Sequence, residues 1–361
     1  MIVKEIRLRN YRNFDKFHIA FNPKMNVITG QNGQGKTNLL ESLIFLSTTH
    51  SHRIQDDQKL IQAGKELANI DCLYFDEIEY RIGSVIYQKG KSLLLNKQPV
   101  SKSSDFIGLL NVILFSPSDI NIFEQSPRER RKLINLEITK VNKRYLNSLN
   151  NYQKLLKERN LSFKREKIDM VYLNVIEDKM IENQLVILNE RYKFVSIINS
   201  KINDYLKKLM DTDVSIFVEY VGCVKDDEDE IKKENLKNMY KQNFDKDRFN
   251  QMTNMGIHRD DLMFWINGEN VNDVASQGQR RLVIMALKLS LINYIKEKTG
   301  KTPILLLDDV LSELDIDKQR NLLNCIDENI QTIITTSVLS ESLSSLNKNL
   351  NIQTINAGKL I

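Results

Sequence analysis

The stretch GQNGQGKT, residues 30–37, constrains this chain more than any other feature. It follows an apolar run, Met25–Thr29, and leads into NLLESLIFL, residues 38–46, which has helical character. Strand, glycine loop and helix in that order form the setting of a phosphate-binding loop, and the spacing G-x-x-x-x-G-K-T is met in full. Gly30, Gly33 and Gly35 let the backbone curl so that its N–H groups face a β-phosphate. Gln31, Asn32 and Gln34 fill the loop between them, and Asn38 follows in the helix. The helix start contributes the positive end of its dipole. Lys36 supplies a cation between β- and γ-phosphates, and Thr37 supplies a hydroxyl to Mg²⁺. ATP with Mg²⁺ is the expected ligand.

A second half-site stands far along the chain. ILLLDD, residues 304–309, reads as a buried strand ending in two carboxylates. Asp308 at the strand tip is placed to bind Mg²⁺, directly or through water. Asp309 follows, placed to orient or deprotonate the attacking water; the alternative is a helix cap or a salt-bridge partner. Lys36 and Asp309 are therefore the catalytic candidates. SQGQRR, residues 276–281, sets a serine, a glycine and a glutamine before a long helix, an anion-binding arrangement. The loop at 30–37 already serves one nucleotide, so Ser276, Gly278 and Gln279 make sense if they cap the ATP held by another copy. An ordinary N-cap at Ser276 is the alternative.

The rest of the pattern predicts a discontinuous α/β unit with an insertion. Residues 1–30 and 66–100 read as strands of a mixed or antiparallel sheet, and LNVILF (110–115) meets a turn at SPSD. No proline occurs between Pro127 and Pro303, and apolar residues fall at helical spacings over 126–207. Residues 214–220 could form a strand; DDEDE, 226–230, reads as a solvated loop rather than a metal site. Strand and loop character returns near 258–266, followed by a helix at 319–327, a strand at 331–336, a short helix at 340–346 and two short strands. The expected domains are 1–120 with 255–361, and a mainly helical 121–254. At 361 residues and 41% hydrophobic side chains the chain can bury ordinary cores. Three cysteines lie far apart, which fits a reducing compartment and neither a disulfide framework nor a zinc knuckle. No signal-peptide pattern opens the chain. No window reaches the roughly eighteen apolar residues of a membrane span. A soluble cytoplasmic protein without a membrane partner is expected.

The motifs in combination resemble the head domains of ABC-type ATPases of DNA repair and chromosome maintenance, relatives of SMC and Rad50, and most specifically the bacterial RecF family. Carrying the resemblance are LRNYRNF (8–14), GQNGQGKTNLLE (30–41), SHR (51–53), FSPSD (115–119), LLKERN (155–160), HRDDL (258–262), SQGQRR (276–281) and LLLDDVLSELD (305–315). It runs over essentially the whole chain. It implies an ABC-type ATPase lobe with a helical lobe inserted between the phosphate loop and the SQGQ signature. It further implies an ATP-dependent head-to-tail dimer released by hydrolysis, with Ser276 and Gly278 of one copy facing Lys36 of the other. Weak DNA-stimulated ATPase activity is expected, with binding to double-stranded DNA and single/double-strand junctions. So is work with a RecR-like partner in loading the RecA recombinase at gaps, which bears on replication restart and the SOS response. By the same carry-over Asp315 of SELD is the interface acid, and Arg12 and Asn13 lie near the nucleotide. Thr335 and Thr336 touch the γ-phosphate through water or simply end a strand.

Three positions depart from the family pattern: Ile257 stands where proline is usual, Ser126 where glycine is usual and Asn135 where aspartate is usual. His258, Arg259 and Asp260 form a polar network, structural or catalytic. A formal net charge of +5 points only weakly to a polyanion. Residues 140–169 hold nine basic and three acidic side chains, a denser signal. Arg128, Arg130, Arg131, Lys132, Lys154, Lys157, Arg159, Lys164 and Arg165 are candidates for DNA phosphates, against the alternative of solvated helix faces. No base-reading motif is present. A chromosome-maintenance clamp or ATPase unconnected with recombinase loading, a nuclease and a transporter subunit are the rival readings. The short insert speaks against a long-armed organiser, the lack of a further metal-ligand cluster against a nuclease, and the SHR, FSPSD and HRDDL stretches against a transporter subunit. A DNA clamp that binds ATP without turning it over stays open, and an ATPase assay separates it.

Overall fold

The computed structural model describes residues 1–210, 214–225, 228–344 and 350–361. Two compact units divide the chain. The first comprises Met1–Ile120, Lys201–Val214 and Gln277–Ile361; the second comprises Asn121–Ser200 and Ser215–Ser276.

The first unit holds two six-stranded sheets. One is antiparallel, in the order β2-β1-β4-β5-β6-β7, from β1 (Ile2–Tyr11), β2 (Phe14–Ala20), β4 (Leu67–Asp76), β5 (Ile78–Tyr87), β6 (Gly90–Leu95) and β7 (Gln98–Pro99). The other runs β15-β14-β3-β13-β12-β8, from β3 (Met25–Thr29), β8 (Val112–Phe115), β12 (Ile304–Asp308), β13 (Thr332–Thr336), β14 (Asn351–Asn356) and β15 (Lys359–Leu360). Its neighbours from β14 to β8 are all parallel, and β15 closes an antiparallel hairpin. Every residue of β12 and β13 is buried, as strands of a parallel sheet covered on both faces should be.

Helix α1 (Lys36–Thr48) joins the two sheets. Leu39, Leu43 and Phe45 share one core with Val3, Ile6 and Tyr74 of the antiparallel sheet and with Ile28, Leu306 and Ile333 of the parallel one. Burying each such side chain contributes about 1.5–3 kcal/mol, which fits a helix none of whose residues is exposed. A short α2 (Ser103–Phe106) precedes β8.

The second unit is mainly helical. It holds α3 (Pro127–Val141), α4 (Lys143–Ser162), most of α5 (Met170–Met210) and α6 (Asp229–Asn250). It also holds an antiparallel sheet of β9 (Ile216–Val221), β10 (Asp261–Ile266) and β11 (Glu269–Asn270) in the order β11-β10-β9, followed by α7 (Val271–Val274). Strand β10 pairs along its whole length with β9. That pairing draws 255–276 into this unit, so the boundary expected after 254 falls after 276, and 201–214 joins the first unit.

Of the acidic run 226–230, positions 226 and 227 lie outside the described residues. Asp229 and Glu230 open α6, where its dipole favours negative charge. Helix α8 (Gln277–Thr299) and α9 (Ile316–Cys325) follow; the short helix expected at 340–346 is α10 (Glu341–Ser344), and 345 and 346 lie outside the described residues. Among the described residues no helix is long and apolar enough to cross a membrane, and Cys72, Cys223 and Cys325 are free thiols.

Candidate nucleotide site

The loop at 30–35 closes between β3 and α1 by contacts that only glycine allows. Gly30, Gly33 and Gly35 have φ of 149°, 82° and 115°, a region that L side chains avoid. A Cβ on Gly30 would collide with the carbonyl oxygen of Ile355, and one on Gly35 would sit 2.7 Å from the Asn13 side chain. Gln31, Asn32 and Gly33 form an exposed tip. Behind them the Gln34 carbonyl accepts from Asn13 Nδ2 at 2.9 Å, and its side chain accepts from the Ala357 N–H. Lys36 is buried, with Nζ donating to the carbonyls of Gly30 (2.5 Å) and Gln31 (2.9 Å). Burial lowers its pKa, against the pull of Asp309 and Asp308.

Three segments meet on one carboxylate. Asp308 ends β12, and its Oδ1 accepts from Thr37 Oγ1 at 2.9 Å and from Thr335 Oγ1 at 2.8 Å. The parallel register that pairs Asp308 with Thr335 brings the second donor in. Thr335 thus does more than end a strand, whereas Thr336 bonds the Val338 carbonyl. Mg²⁺ in nucleotide sites takes one or two protein oxygens and completes its octahedron with phosphates and water. Thr37 and Asp308 fit that donor set.

Asp309 carries two local costs. Its φ is 52°, a conformation costing of order 1 kcal/mol or more for a residue with a Cβ. Its Oδ1 is buried without a hydrogen-bond partner among the described residues, a further penalty of about 1–3 kcal/mol. Its backbone N–H donates to the Thr335 carbonyl at 3.1 Å. Among the described residues neither a helix cap nor a salt bridge occupies the carboxylate.

A support lies behind the loop that the motifs alone did not reveal. Glu41, one turn beyond Thr37, is fully buried and accepts a two-point contact from Arg12, at 2.9 and 2.8 Å. Ser51 Oγ donates to the same carboxylate, and Arg53 reaches Asn38 Oδ1 at 3.1 Å. Burial works against the ionised form of Glu41, but Arg12 and Ser51 hold its carboxyl below the ordinary value. Arg12 is therefore drawn into a buried pair, and it is Asn13 that touches the loop and Asn38. The sequence signal was a lone glutamate within the apolar run 38–46, answered by the arginines of LRNYRNF and SHR.

At the signature, α8 begins at Gln277, with exposed Ser276 just before it and Gly278 in its first turn. Gln279 lies in the same turn. Arg281 pairs with Glu313 at 3.0 Å and donates to its carbonyl, tying α8 to SELD. Asp315 caps α9 through the Lys318 N–H at 2.9 Å. The side-chain and backbone hydrogen bonds of Lys318 keep its carboxyl below the ordinary range.

In the second unit His258 and Asp260 of HRDDL find their partners elsewhere in the unit, whereas Arg259 is exposed, reaches Met252 Sδ at 3.7 Å and stands outside the expected network. His258 bonds Tyr152 Oη at 2.7 Å and the Thr253 carbonyl at 3.0 Å, and burial pushes its pKa down to about 4. Asp260 accepts from Arg191, Tyr220 and the Cys223 N–H. Fully buried Arg191 also donates to Tyr145, Asn135 and the Ile257 carbonyl. Two of the three departures from the family pattern, Asn135 and Ile257, thus belong to this network; the third, Ser126, precedes α3.

The DNA candidates divide. Arg128, Lys132, Lys154, Lys157, Lys164 and Arg165 are exposed. Arg130 forms a two-point pair with Asp261 at 2.7 and 2.6 Å, and Arg131 is half-buried. Arg159 must be removed from the set. It has no exposed surface, pairs with Glu177 at 2.8 Å and Asp247 at 2.7 Å, and lies 4.7 Å from each of the Phe163 and Tyr240 rings.

Comparison with known proteins agrees with this architecture. Residues 2–360 match the family model described as RecF/RecN/SMC N terminal domain. The DNA replication and repair protein RecF of Streptococcus pneumoniae strain CGSP14 is 36% identical, covering 99% of this chain and 98% of that protein. A solved structure of the recombination mediator protein RecF-ATP in the RecFOR pathway superposes with a TM-score of 0.91 at 29% identity, covering 100% of this chain and 97% of the other. An Smc head bound to the C-winged helix domain of ScpA shares the fold alone, with a TM-score of 0.57 at 16% identity over 100% of this chain and 97% of the other. The fold is thus the ABC-type ATPase head, mixed α/β with N-terminal antiparallel strands and a mainly helical insertion.

Proposed function

The chain belongs to the RecF family, and from that premise we propose that it is a cytoplasmic, ATP-dependent, DNA-binding recombination mediator. ATP brings two copies together head to tail on duplex DNA and at single/double-strand junctions, and hydrolysis releases them. With a RecR-like partner the dimer helps to load the RecA recombinase at gaps, during repair and replication restart.

The observation that best supports the ATPase part is the meeting of Thr37, Asp308 and Thr335 on one carboxylate oxygen, beside buried Lys36. In the free chain Lys36 is held by two loop carbonyls; binding ATP exchanges these for β- and γ-phosphate oxygens. Thr37 and Asp308 hold Mg²⁺, which when bound neutralises charge developing on the phosphates. Asp309, with an unpaired oxygen and a strained backbone, orients the attacking water and accepts its proton. Exposed Ser276 and Gly278, with Gln279, offer a hydroxyl and helix N–H groups to the γ-phosphate held by the other copy. Because each site needs residues from both copies, turnover is slow in the monomer and rises when DNA gathers the pair.

The test is molecular mass in solution with ATP and Mg²⁺, with and without gapped duplex. Wild type dimerises; Lys36→Met and Ser276→Arg abolish the dimer, and Asp309→Asn prolongs it. A wild type that binds ATP yet stays monomeric, or a dimer indifferent to Ser276→Arg, overturns the shared-site reading. A long-lived dimer without phosphate release makes the chain a DNA clamp instead.

A further inference from the structure

We propose that a cationic cavity in the second unit, between α3, α4 and the HRDDL loop, binds a phosphate of a DNA strand. The inference rests on the DNA-binding reading above and gives it a place.

The cavity measures about 420 Å³, and Arg128, Arg131, Lys132 and Asn135 of α3, with Gln153 of α4 and His258, line it. Arg191 stands in the same wall, and no carboxylate does. The nearby acids are already committed. Asp260 serves Arg191 and Tyr220, Asp261 serves Arg130, and Glu129 serves Lys132 at 2.7 Å.

Two guanidinium groups are left without an ion pair among the described residues. Arg131 donates only to the Asp260 backbone carbonyl, and Arg128 has no ion pair or hydrogen bond among the described residues. A guanidinium presents five N–H donors and no acceptor. Most of the donors in this cavity are therefore open. Burial and the neighbouring Arg191 lower the pKa of Arg131, against the pull of Asp260 and Asp261.

The neutral groups favour the same ligand. Asn135 spends its Oδ1 on Tyr145 and Arg191, and its amide NH₂ has no partner among the described residues. Both His258 nitrogens are engaged within the chain. The cavity is thus rich in donors, and phosphate, an acceptor-only anion, matches the guanidinium fork. Exposed Lys154 and Lys157 continue the positive charge along α4 beyond Gln153. That points to an extended polyanion rather than a single ion.

The test is binding of labelled gapped duplex to the full chain with a non-hydrolysable ATP analogue, over a salt series. Arg128→Ala, Arg131→Gln and Asn135→Asp are each expected to weaken binding about 3- to 10-fold and to flatten the log–log salt slope by about one unit. ATP affinity without DNA stays as in wild type. Arg128→Ala removes no internal bond, so its result does not depend on folding. Unchanged DNA affinity and slope in Arg128→Ala and in folded Arg131→Gln overturn the cavity while leaving the functional reading standing. If wild type binds ATP but no DNA, that reading fails, and the strand as the source of phosphate fails with it. Pyrophosphate added to a Lys36→Met background then judges the cavity alone. Thermal stabilisation that Arg131→Gln removes keeps it as a free-phosphate site, and no stabilisation overturns it.

Discussion

The nucleotide loop and the buried core of the inserted unit both gather charged side chains, but they treat them in opposite ways. At the loop, Asp309 keeps an unpaired oxygen on a strained backbone, and the tip residues stand in solvent. In the core of the second unit Arg159 donates to Asp247 and Arg191 to Asp260, all four of them buried. A site that must accept a ligand keeps polar capacity in reserve, while one that must hold a shape spends it internally. HRDDL resembles a catalytic motif on paper because both kinds of site draw on the same residue types.

The largest expected effect follows from that contrast. Arg159→Ala leaves Asp247 and Glu177 facing a void, and breaking a buried pair in this way costs about 3–5 kcal/mol. Chemical unfolding should show the loss, while the folded variant binds ATP and DNA as wild type does. A variant of normal stability with weakened DNA binding would put Arg159 back on the nucleic-acid surface and break the comparison.

A smaller effect should appear as a pH dependence. The pKa of His258 falls from 6.5 to about 4 on folding. Below pH 6.5 the unfolded chain takes up a proton that the folded chain refuses. Stability is therefore retained above that pH and lost as pH falls towards the folded value. Between pH 7 and 5 the loss amounts to about 2 kcal/mol. His258→Gln should remove that part of the acid limb, as measured by urea unfolding at the two pH values. An unchanged acid limb would mean that His258 is charged in the folded protein and available for chemistry.

Much of the first unit was legible because its signals are local. Three glycines, a lysine and a threonine must be contiguous to wrap a phosphate, and an apolar strand ending in Asp308 announces its own position. The second unit was legible as helices but not as a surface. Periodicity gives the face of α4, yet Arg159 could not be told from Lys154 and Lys157 without knowing that Asp247, eighty-eight positions away, lies opposite it. The boundary after 276 was hidden for the same reason: only the pairing of β9 with β10 assigns 255–276 to the inserted unit. Glu41 was missed as a support because its partners Arg12 and Ser51 come from separate segments.

The smallest effect probes the other side of the comparison, where a lost hydrogen bond should alter ligand binding more than shape. Thr335 Oγ1 holds Asp308 Oδ1 at 2.8 Å, leaving Thr37 as that oxygen's other donor. Thr335→Val keeps the volume of the side chain and removes the donor, at about 1 kcal/mol. Asp308 then loses one of the two contacts that fix it for Mg²⁺. The Mg²⁺ concentration for half-maximal ATP hydrolysis should rise about five-fold, the equivalent of that energy. Thr335→Ser, which retains the hydroxyl, should leave it unchanged. If instead the valine variant loses stability with no change in Mg²⁺ requirement, Thr335 is an ordinary strand end. The polar groups of the nucleotide site would then behave like those of the inserted unit's buried pairs, and the distinction between reserve and spent polarity would not hold at this residue.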